Sequence, residues 1–219
     1  MPAYQIGVDE AGKGPVLGPM VAAAVRADDN ELPDGVTDSK RLTAAKRESL
    51  ATELRESSAI EIGVSVVTTT EIDAPETDMN RLTVAAQVRA LSEIAGDGDH
   101  ALVDAGDVSE SRFARRVREG VAECGVDIDV TAEHGADDDS RLVGAASIIA
   151  KVERDRRIAA IDEEYDIDIG SGYPSDPTTR EFLADYVDRH GDLPACARRS
   201  WSTCDDVLAA AEQSGLADF

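Results

Sequence analysis

The chain contains few cysteine, lysine and aromatic residues, and it has no long apolar run. Among its 219 residues there are 3 cysteines and 1 tryptophan, and aromatic residues make up 4%. The cysteines Cys124, Cys196 and Cys204 are too few for a disulfide framework and are spaced wrongly for a zinc site. No apolar run approaches the roughly 18–20 residues of a membrane span, and the first residues do not resemble a signal peptide. The sequence therefore predicts a cytoplasmic protein.

Acidic residues are in large excess. There are 45 acidic against 22 basic residues, a formal charge of −23, and lysine supplies four of the bases, at positions 13, 40, 46 and 151. A scattered acidic, lysine-poor surface is typical of halophile proteins. Molar salt shortens the electrostatic screening length to about 3 Å, so that repulsion between the acidic residues is tolerated. An acidic mimic and a protein that binds basic partners are the alternatives. With 42% hydrophobic residues the chain can still bury a core, which argues against disorder.

Hydrophobic periodicity predicts a mixed sheet flanked by helices. Strands are expected over 4–8, 20–25, 60–66, 101–103 and 126–130, and helices after Thr43 and over 81–95, 113–121, 143–162 and 178–190. Three strands close in sequence, followed by alternating helices and strands, predict antiparallel pairing at the start and parallel pairing afterwards. A loop over 170–176 separates this core from a smaller helical part.

Acidic residues end two of the predicted strands. Asp9 and Glu10 follow the first apolar strand, and Asp104 follows another. In isolation these are solvated strand ends, but neighbouring strands would place three carboxylates together. Such charges repel unless a cation lies between them, and oxygen ligands suit Mg²⁺ or Mn²⁺. Because paired ions of this type clamp both oxygens of a phosphoryl displacement, the pattern predicts metal-assisted phosphodiester cleavage.

A glycine-rich loop follows the first strand. The stretch from Gly7 to Gly14 nearly matches the phosphate-binding pattern G-x-x-x-x-G-K-[ST], but Gly14 replaces the hydroxyl residue that would hold Mg²⁺. Pro15, Gly18 and Pro19 disfavour the helix that follows such a loop. An NTPase is therefore disfavoured. The remaining interpretation is a backbone whose N–H groups and lysine approach a nucleic acid closely.

Six sequence blocks occur in order along most of the chain. They are DEAGKGPVLGPMVAA at 9–23, DSKRLT at 38–43, LVDAGD around Asp104, AASIIAKVERD at 145–155, GSGYPSDP at 170–177 and RRSW at 198–201. Together they resemble the ribonuclease HII family, the type 2 ribonucleases H. The resemblance implies an α/β fold with a five-stranded mixed sheet flanked by helices. It also implies a catalytic core over 1–165, a C-terminal helical extension over 166–212 and a tail over 213–219.

The resemblance implies a catalytic site with a two-ion Mg²⁺ or Mn²⁺ cofactor. The catalytic and metal-binding residues would be Asp9, Glu10, Asp104 and Asp137. Asp137 is chosen because it precedes Ser147 by the family's spacing of ten residues, and Asp138 and Asp139 leave this choice open. The residues do not choose between the two metals. The three histidines are assigned no role.

Substrate-binding residues are implied in the same way, at Gly12, Lys13, Gly14, Ser39, Lys40, Lys151 and Tyr173. The family's triplet is usually Gly-Arg-Gly, and its backbone reads the ribose 2′-OH. Lys13 departs from that pattern, because an ammonium cannot reproduce the bidentate contact of a guanidinium. Tyr173 would pack on the sugar at the ribonucleotide, whereas its alternative role is to cap the core.

The last seven residues, QSGLADF, fit the spacing Gln-x-x-Leu-x-x-Phe. This resembles the short tail by which replication and repair enzymes dock on the sliding clamp, with Gln213, Leu216 and Phe219 as anchors. A frayed helix end is the alternative.

The implied activity is that of a metal-dependent endonuclease. It would hydrolyse the RNA strand of RNA/DNA hybrids and cut at ribonucleotides embedded in duplex DNA, leaving 3′-hydroxyl and 5′-phosphate ends. Two other functions stay open. One is a non-catalytic module that binds metal or hybrid on the same fold, and the other is a phosphoryl-transfer enzyme that acts on a different nucleic acid.

Overall fold

The five strands form one mixed sheet. The structure, a computed structural model, describes residues 5–36 and 42–217, with side chains through residue 213. Its strands are β1 (Ile6–Ala11), β2 (Met20–Arg26), β3 (Glu61–Val67), β4 (His100–Asp104) and β5 (Asp129–Glu133). Their order is β3-β2-β1-β4-β5. β1 is antiparallel to β2 and parallel to β4, and β4 is parallel to β5. The predicted mixed sheet is confirmed.

Eight helices accompany the sheet in the described part of the chain. They are α1 (Ala44–Glu56), α2 (Thr69–Ile72), α3 (Met79–Ser92), α4 (Glu110–Glu123), α5 (Ala136–Asp139), α6 (Arg141–Tyr165), α7 (Pro177–His190) and α8 (Ser202–Ala217). Thr43 is the N-cap of α1, as predicted, and its side chain accepts from the backbone N–H of Lys46. Within the described ranges, none of these helices combines the length and the apolar character needed to cross a membrane.

Three local features differ from the sequence prediction. The four-residue helices α2 and α5 were not predicted, and α2 depends on a capping box between Thr68 and Glu71. β5 begins at Asp129 rather than Val126. The reason is that Gly125 has a φ of 91° and the Val126 N–H donates to the Val121 carbonyl. These residues therefore close the end of α4 before the strand can begin.

The described chain divides into two compact units. The first comprises the described parts of Met1–Ala11, Met20–Val66 and Met79–Arg154, and the second those of Gly12–Pro19, Val67–Asp78 and Asp155–Phe219. The division into residues 1–165, 166–212 and 213–219 stays a prediction.

In the first unit, the central strand packs tightly against α6. A Cβ atom at Gly7 of β1 would lie 2.2 Å from the carbonyl carbon of Leu142, so glycine is needed for this close approach. The apolar residues around Ser147 on α6, including Ala146 and Ile148, are fully buried. This packing places Ser147 in the interior of the unit.

In the second unit, an apolar cluster joins the glycine-rich loop to the C-terminal helices. Val16 and Leu17 pack with Phe182 and Leu183 of α7. α7 begins at the N-cap Asp176 with proline at its first turn and ends at Gly191, whose φ is 70°. This cluster gives the loop after β1 a rigid support.

Candidate active site

Asp9 and Asp104 lie side by side at one edge of the sheet. β1 and β4 are parallel, and Val8 is level with Val103, so the next residues on the two strands are Asp9 and Asp104. Asp9 is 5% exposed, and its Oδ1 accepts a hydrogen bond of 2.7 Å from the backbone N–H of Glu10. The carboxyl ends of the parallel strands therefore bring three acidic residues together, as the sequence predicted.

The fourth predicted acid, Asp137, lies on the short helix α5. Its exposed fraction is 3%, whereas Asp138 and Asp139 are exposed. The N–H of Ala136 donates to Asp104 Oδ1 at 3.0 Å, which holds the start of α5 against the end of β4. Burial thus distinguishes Asp137 from its two neighbours, and its place in the ligand set stays a prediction.

The four carboxylates influence one another electrostatically. Burial raises the pKa of Asp9 well above its ordinary value, and the charges of Glu10, Asp104 and Asp137 raise it further. A hydrogen bond with Ser147 acts in the opposite direction. An ionised Asp9 is therefore costly in this environment unless a positive charge compensates it.

The donor set fits a hard divalent cation. Over the ranges 5–36 and 42–213, no group of three or more Asp, Glu, His or Cys side chains is arranged so that it could hold a metal ion by itself. The four acids nevertheless offer oxygen donors alone, and the repulsion at buried Asp9 is of the kind that a cation relieves. Mg²⁺ is usually held by few carboxylates and keeps its other positions for water or phosphate. The residues present therefore suit Mg²⁺ or Mn²⁺.

Three side chains support these acids through hydrogen bonds. This role was not predicted from the sequence for any of the three. Gln87 on α3 donates from Nε2 to Glu10 Oε2 at 2.7 Å and to the Asp104 carbonyl at 3.1 Å. Lys151, predicted to contact substrate, donates from Nζ to Ser147 Oγ at 2.9 Å, and Ser147 in turn bonds to Asp9. A long polar side chain on the mostly apolar buried face of α3 was the available signal for Gln87.

The glycine-rich loop of the second unit is held by a buried arginine. Arg198, from the RRSW block, is fully buried. Its guanidinium donates to the carbonyls of Gly12 at 2.6 Å, Lys13 at 3.1 Å and Gly18 at 2.9 Å. Gly12 has a φ of 90°, which favours glycine. No role for Arg198 was predicted from the sequence, because its hydrogen-bond partners lie far away along the chain.

Tyr173 lies beside this loop. A Cβ atom at Gly14 would be 3.7 Å from Cε1 of the Tyr173 ring, and the indole N–H of Trp201 donates to the Gly14 carbonyl at 3.2 Å. Tyr173 is 41% exposed, so much of its ring is accessible. The second unit therefore brings the Gly12, Lys13 and Gly14 triplet and Tyr173 together.

Other predicted site residues are placed differently or lie outside the described residues. Ser39, Lys40 and Phe219 belong to the undescribed part of the chain. Gln213 is exposed, and it belongs to α8 together with the backbone of Leu216. The proposed tail therefore begins inside a helix.

His134 contacts groups outside the acidic cluster. Its Nδ1 lies 2.8 Å from Glu110 Oε1, and its Nε2 lies 2.8 Å from the Asp107 carbonyl oxygen. The Asp107 carbonyl and the Glu110 carboxylate raise the pKa of His134. These contacts connect the end of β5 to α4, and the charge of Asp104 also raises the pKa of His134.

Comparison with known proteins identifies the family. The family model for ribonuclease HII matches residues 6–204. The chain belongs to the ribonuclease HII family. It is 64% identical over 215 residues to ribonuclease HII of Haloarcula marismortui, a halophilic archaeon, and this match covers 98% of the chain and 100% of that protein. The resemblance carried by the six blocks is confirmed.

Solved structures confirm the ribonuclease H fold. Ribonuclease H2 from Pyrococcus horikoshii OT3 is 39% identical with a TM-score of 0.85, covering 95% of this chain and 98% of that one. Ribonuclease HII of Archaeoglobus fulgidus, solved as a complex with PCNA, is 38% identical with a TM-score of 0.81, covering 92% and 95%. As a ribonuclease HII, the chain is an endoribonuclease and a hydrolase with ribonuclease H activity.

Proposed function

We propose that this ribonuclease HII is a metal-dependent endonuclease with two kinds of substrate. It hydrolyses the RNA strand of RNA/DNA hybrids and cuts at ribonucleotides embedded in duplex DNA, leaving 3′-hydroxyl and 5′-phosphate ends. The main support is the buried Asp9, whose pKa is raised by burial and by Glu10, Asp104 and Asp137. A buried group of acids is favourable for binding cations and unfavourable for most other purposes.

Asp9, Glu10, Asp104 and Asp137 are the residues that would hold Mg²⁺ or Mn²⁺. A bound pair of such ions supplies an activated water and stabilises the leaving oxygen of a phosphodiester. The chain's own contribution is orientation. Gln87 holds Glu10, and the Ala136 N–H holds Asp104. Ser147 bonds to Asp9, so hydrogen bonds orient the carboxylates of Asp9, Glu10 and Asp104.

Substrate recognition belongs to the triplet of Gly12, Lys13 and Gly14 together with Tyr173. Backbone groups of the triplet would read the 2′-OH, which distinguishes RNA from DNA. The bonds from Arg198 to the carbonyls of Gly12 and Lys13 keep that backbone in one conformation. Ser39, Lys40 and Lys151 would contact the substrate backbone, although Lys151 also bonds to Ser147.

A cleavage assay tests this function. Duplex DNA with one ribonucleotide, an RNA/DNA hybrid, plain DNA and plain RNA are incubated with Mn²⁺ or Mg²⁺ and analysed on a sequencing gel. Molar KCl is included because the formal charge is −23 and salt screens self-repulsion. We expect products from the first two substrates, and none when a chelator is present. Binding without product would identify a non-catalytic module, and cleavage of plain DNA or RNA would identify a different nuclease.

Replacing Tyr173 by alanine is expected to reduce cleavage at a single embedded ribonucleotide about tenfold or more, the scale of losing one aromatic packing contact with a nucleotide. The loss on a continuous hybrid should be smaller, because each neighbouring ribonucleotide offers another cleavage position. Initial rates on the two substrates measure the ratio. Ile167→Ala is the control, since Ile167 is equally exposed at 41%. Equal losses on both substrates would contradict the proposed role.

The C-terminal residues are proposed to dock on a sliding clamp through Gln213, Leu216 and Phe219. Support comes from the sequence spacing, from the exposure of Gln213 and from the Archaeoglobus fulgidus relative, which was solved with PCNA. Deleting residues 213–219 should abolish co-elution with the clamp on gel filtration and leave cleavage of short duplexes unchanged. Retained co-elution would exclude this tail as the docking element.

A further inference from the structure

A buried amide on α3 connects two of the acidic residues. Gln87 is fully buried. Its Nε2 donates to Glu10 Oε2 at 2.7 Å and to the main-chain carbonyl of Asp104 at 3.1 Å. One amide group therefore contacts a carboxylate proposed to bind metal and the backbone of a second such residue on the neighbouring strand.

The other half of the same amide has no hydrogen-bond partner among the residues that the structure describes. Gln87 Oε1 is buried and accepts no hydrogen bond from the residues described. Turning the amide over would place Oε1 2.7 Å from a Glu10 oxygen and 3.1 Å from the Asp104 carbonyl oxygen, and acceptors at those distances repel. The contacts therefore determine the orientation of the amide.

A buried amide with hydrogen bonds at only one of its two polar atoms contributes little to the stability of the fold. A buried acceptor without a partner is destabilising, and an apolar side chain of the same length would avoid that cost. The position of Gln87 is therefore better explained by what its NH₂ group does for Glu10 than by the packing of α3.

We propose that Gln87 is a positioning residue that orients the Glu10 carboxylate for the divalent ion and joins it to the end of β4. This inference rests on the proposed metal-dependent function. Hydrogen-bond partners outside the ligand set orient the ligands, and their removal typically reduces metal affinity about 10–100-fold. Gln87 supplies such a bond to a side chain that lies 77 residues away in sequence.

The test measures Mn²⁺ binding without substrate. Gln87→Met keeps the chain length and removes the donor, so the dissociation constant from calorimetry should rise about 10–100-fold. Thermal unfolding without Mn²⁺ should change little, because removal of the unpaired acceptor offsets the loss of the two hydrogen bonds that Nε2 donates. A purely structural role predicts the reverse, with stability lost and Mn²⁺ affinity kept.

Thr83→Val is the matched control. Thr83 lies one turn earlier on α3, is fully buried, and donates to the Met79 carbonyl at 2.7 Å, so its replacement should leave Mn²⁺ affinity unchanged. Gln87→Asn, whose amide is one methylene shorter, should also weaken binding and is used if Gln87→Met does not fold. Wild-type affinity in the folded Gln87 variant would overturn the positioning role alone. Failure of the wild-type protein to bind Mn²⁺ would overturn the metal site as well.

Discussion

Asp9→Asn is expected to reduce cleavage about a thousandfold or more, the scale of removing a central electrostatic group from an active site, and yet to make the chain more stable without divalent ions. Asp9 is 5% exposed, and its pKa is raised by burial first, then by Glu10 and Asp104. Asparagine removes the buried charge. It keeps an oxygen that can accept from the Glu10 N–H and from Ser147.

The pH dependence follows from the direction of the pKa shift. The folded chain holds the Asp9 proton more tightly than the unfolded chain, so the unfolded state has fewer bound protons between the ordinary value of 3.8 and the raised folded value. Stability therefore falls as pH rises through that window. Asp9→Asn should remove this part of the decline and therefore increase the free energy of unfolding near pH 7. Urea unfolding in chelator at several pH values measures it.

Asp104→Asn is the matched control for stability. Asp104 is half-buried, and asparagine keeps an acceptor for the Ala136 N–H. This variant should also lose nearly all turnover, but its stability without divalent ions should change much less than that of Asp9→Asn. An Asp9→Asn protein that is less stable in chelator than the wild type would contradict the account of the buried charge, and full retained cleavage in either variant would refute a catalytic role.

Arg198→Met is expected to lower the free energy of unfolding by about 3–5 kcal/mol. The variant leaves the carbonyls of Gly12, Lys13 and Gly18 without their donor, and each buried acceptor without a partner costs about 1–3 kcal/mol. Because the burial of the guanidinium is itself costly, the total is less than a simple sum. The triplet should lose its fixed backbone, so discrimination between RNA and DNA at the cleavage site should fall as well.

The neighbouring residue provides the control for this experiment. Arg199 has a 52% exposed side chain and pairs with the exposed Asp192, so Arg199→Met should cost about 1 kcal/mol or less. Arg198→Lys should be intermediate, since one ammonium cannot reproduce the planar set of donors. Chemical unfolding of the three variants in the same salt measures the series. Similar losses for Arg198→Met and Arg199→Met would contradict an anchoring role for Arg198.

Local patterns were sufficient to predict the sheet and the grouping of Asp9, Glu10 and Asp104 at its edge. The alternating residues around Ile6 and Val8 predict a strand because side chains on a strand alternate between two faces. Asp9 and Asp104 were found because each follows such an apolar strand. The short helix α5 and the start of β5 were missed, since they depend on the positive φ values of Gly135 and Gly125, which composition does not reveal.

Sequence alone was enough to identify the ribonuclease HII family and the mixed sheet and to predict the site acids, because the patterns that carry them lie in residues near one another along the chain. The tertiary structure decided which groups hold them. Gln87 reaches Glu10 across 77 residues, and Arg198 reaches Gly18 across 180. Hydrogen bonds of that range have no local signature, because their energy depends on distances and burial that exist only after the strands and helices have packed.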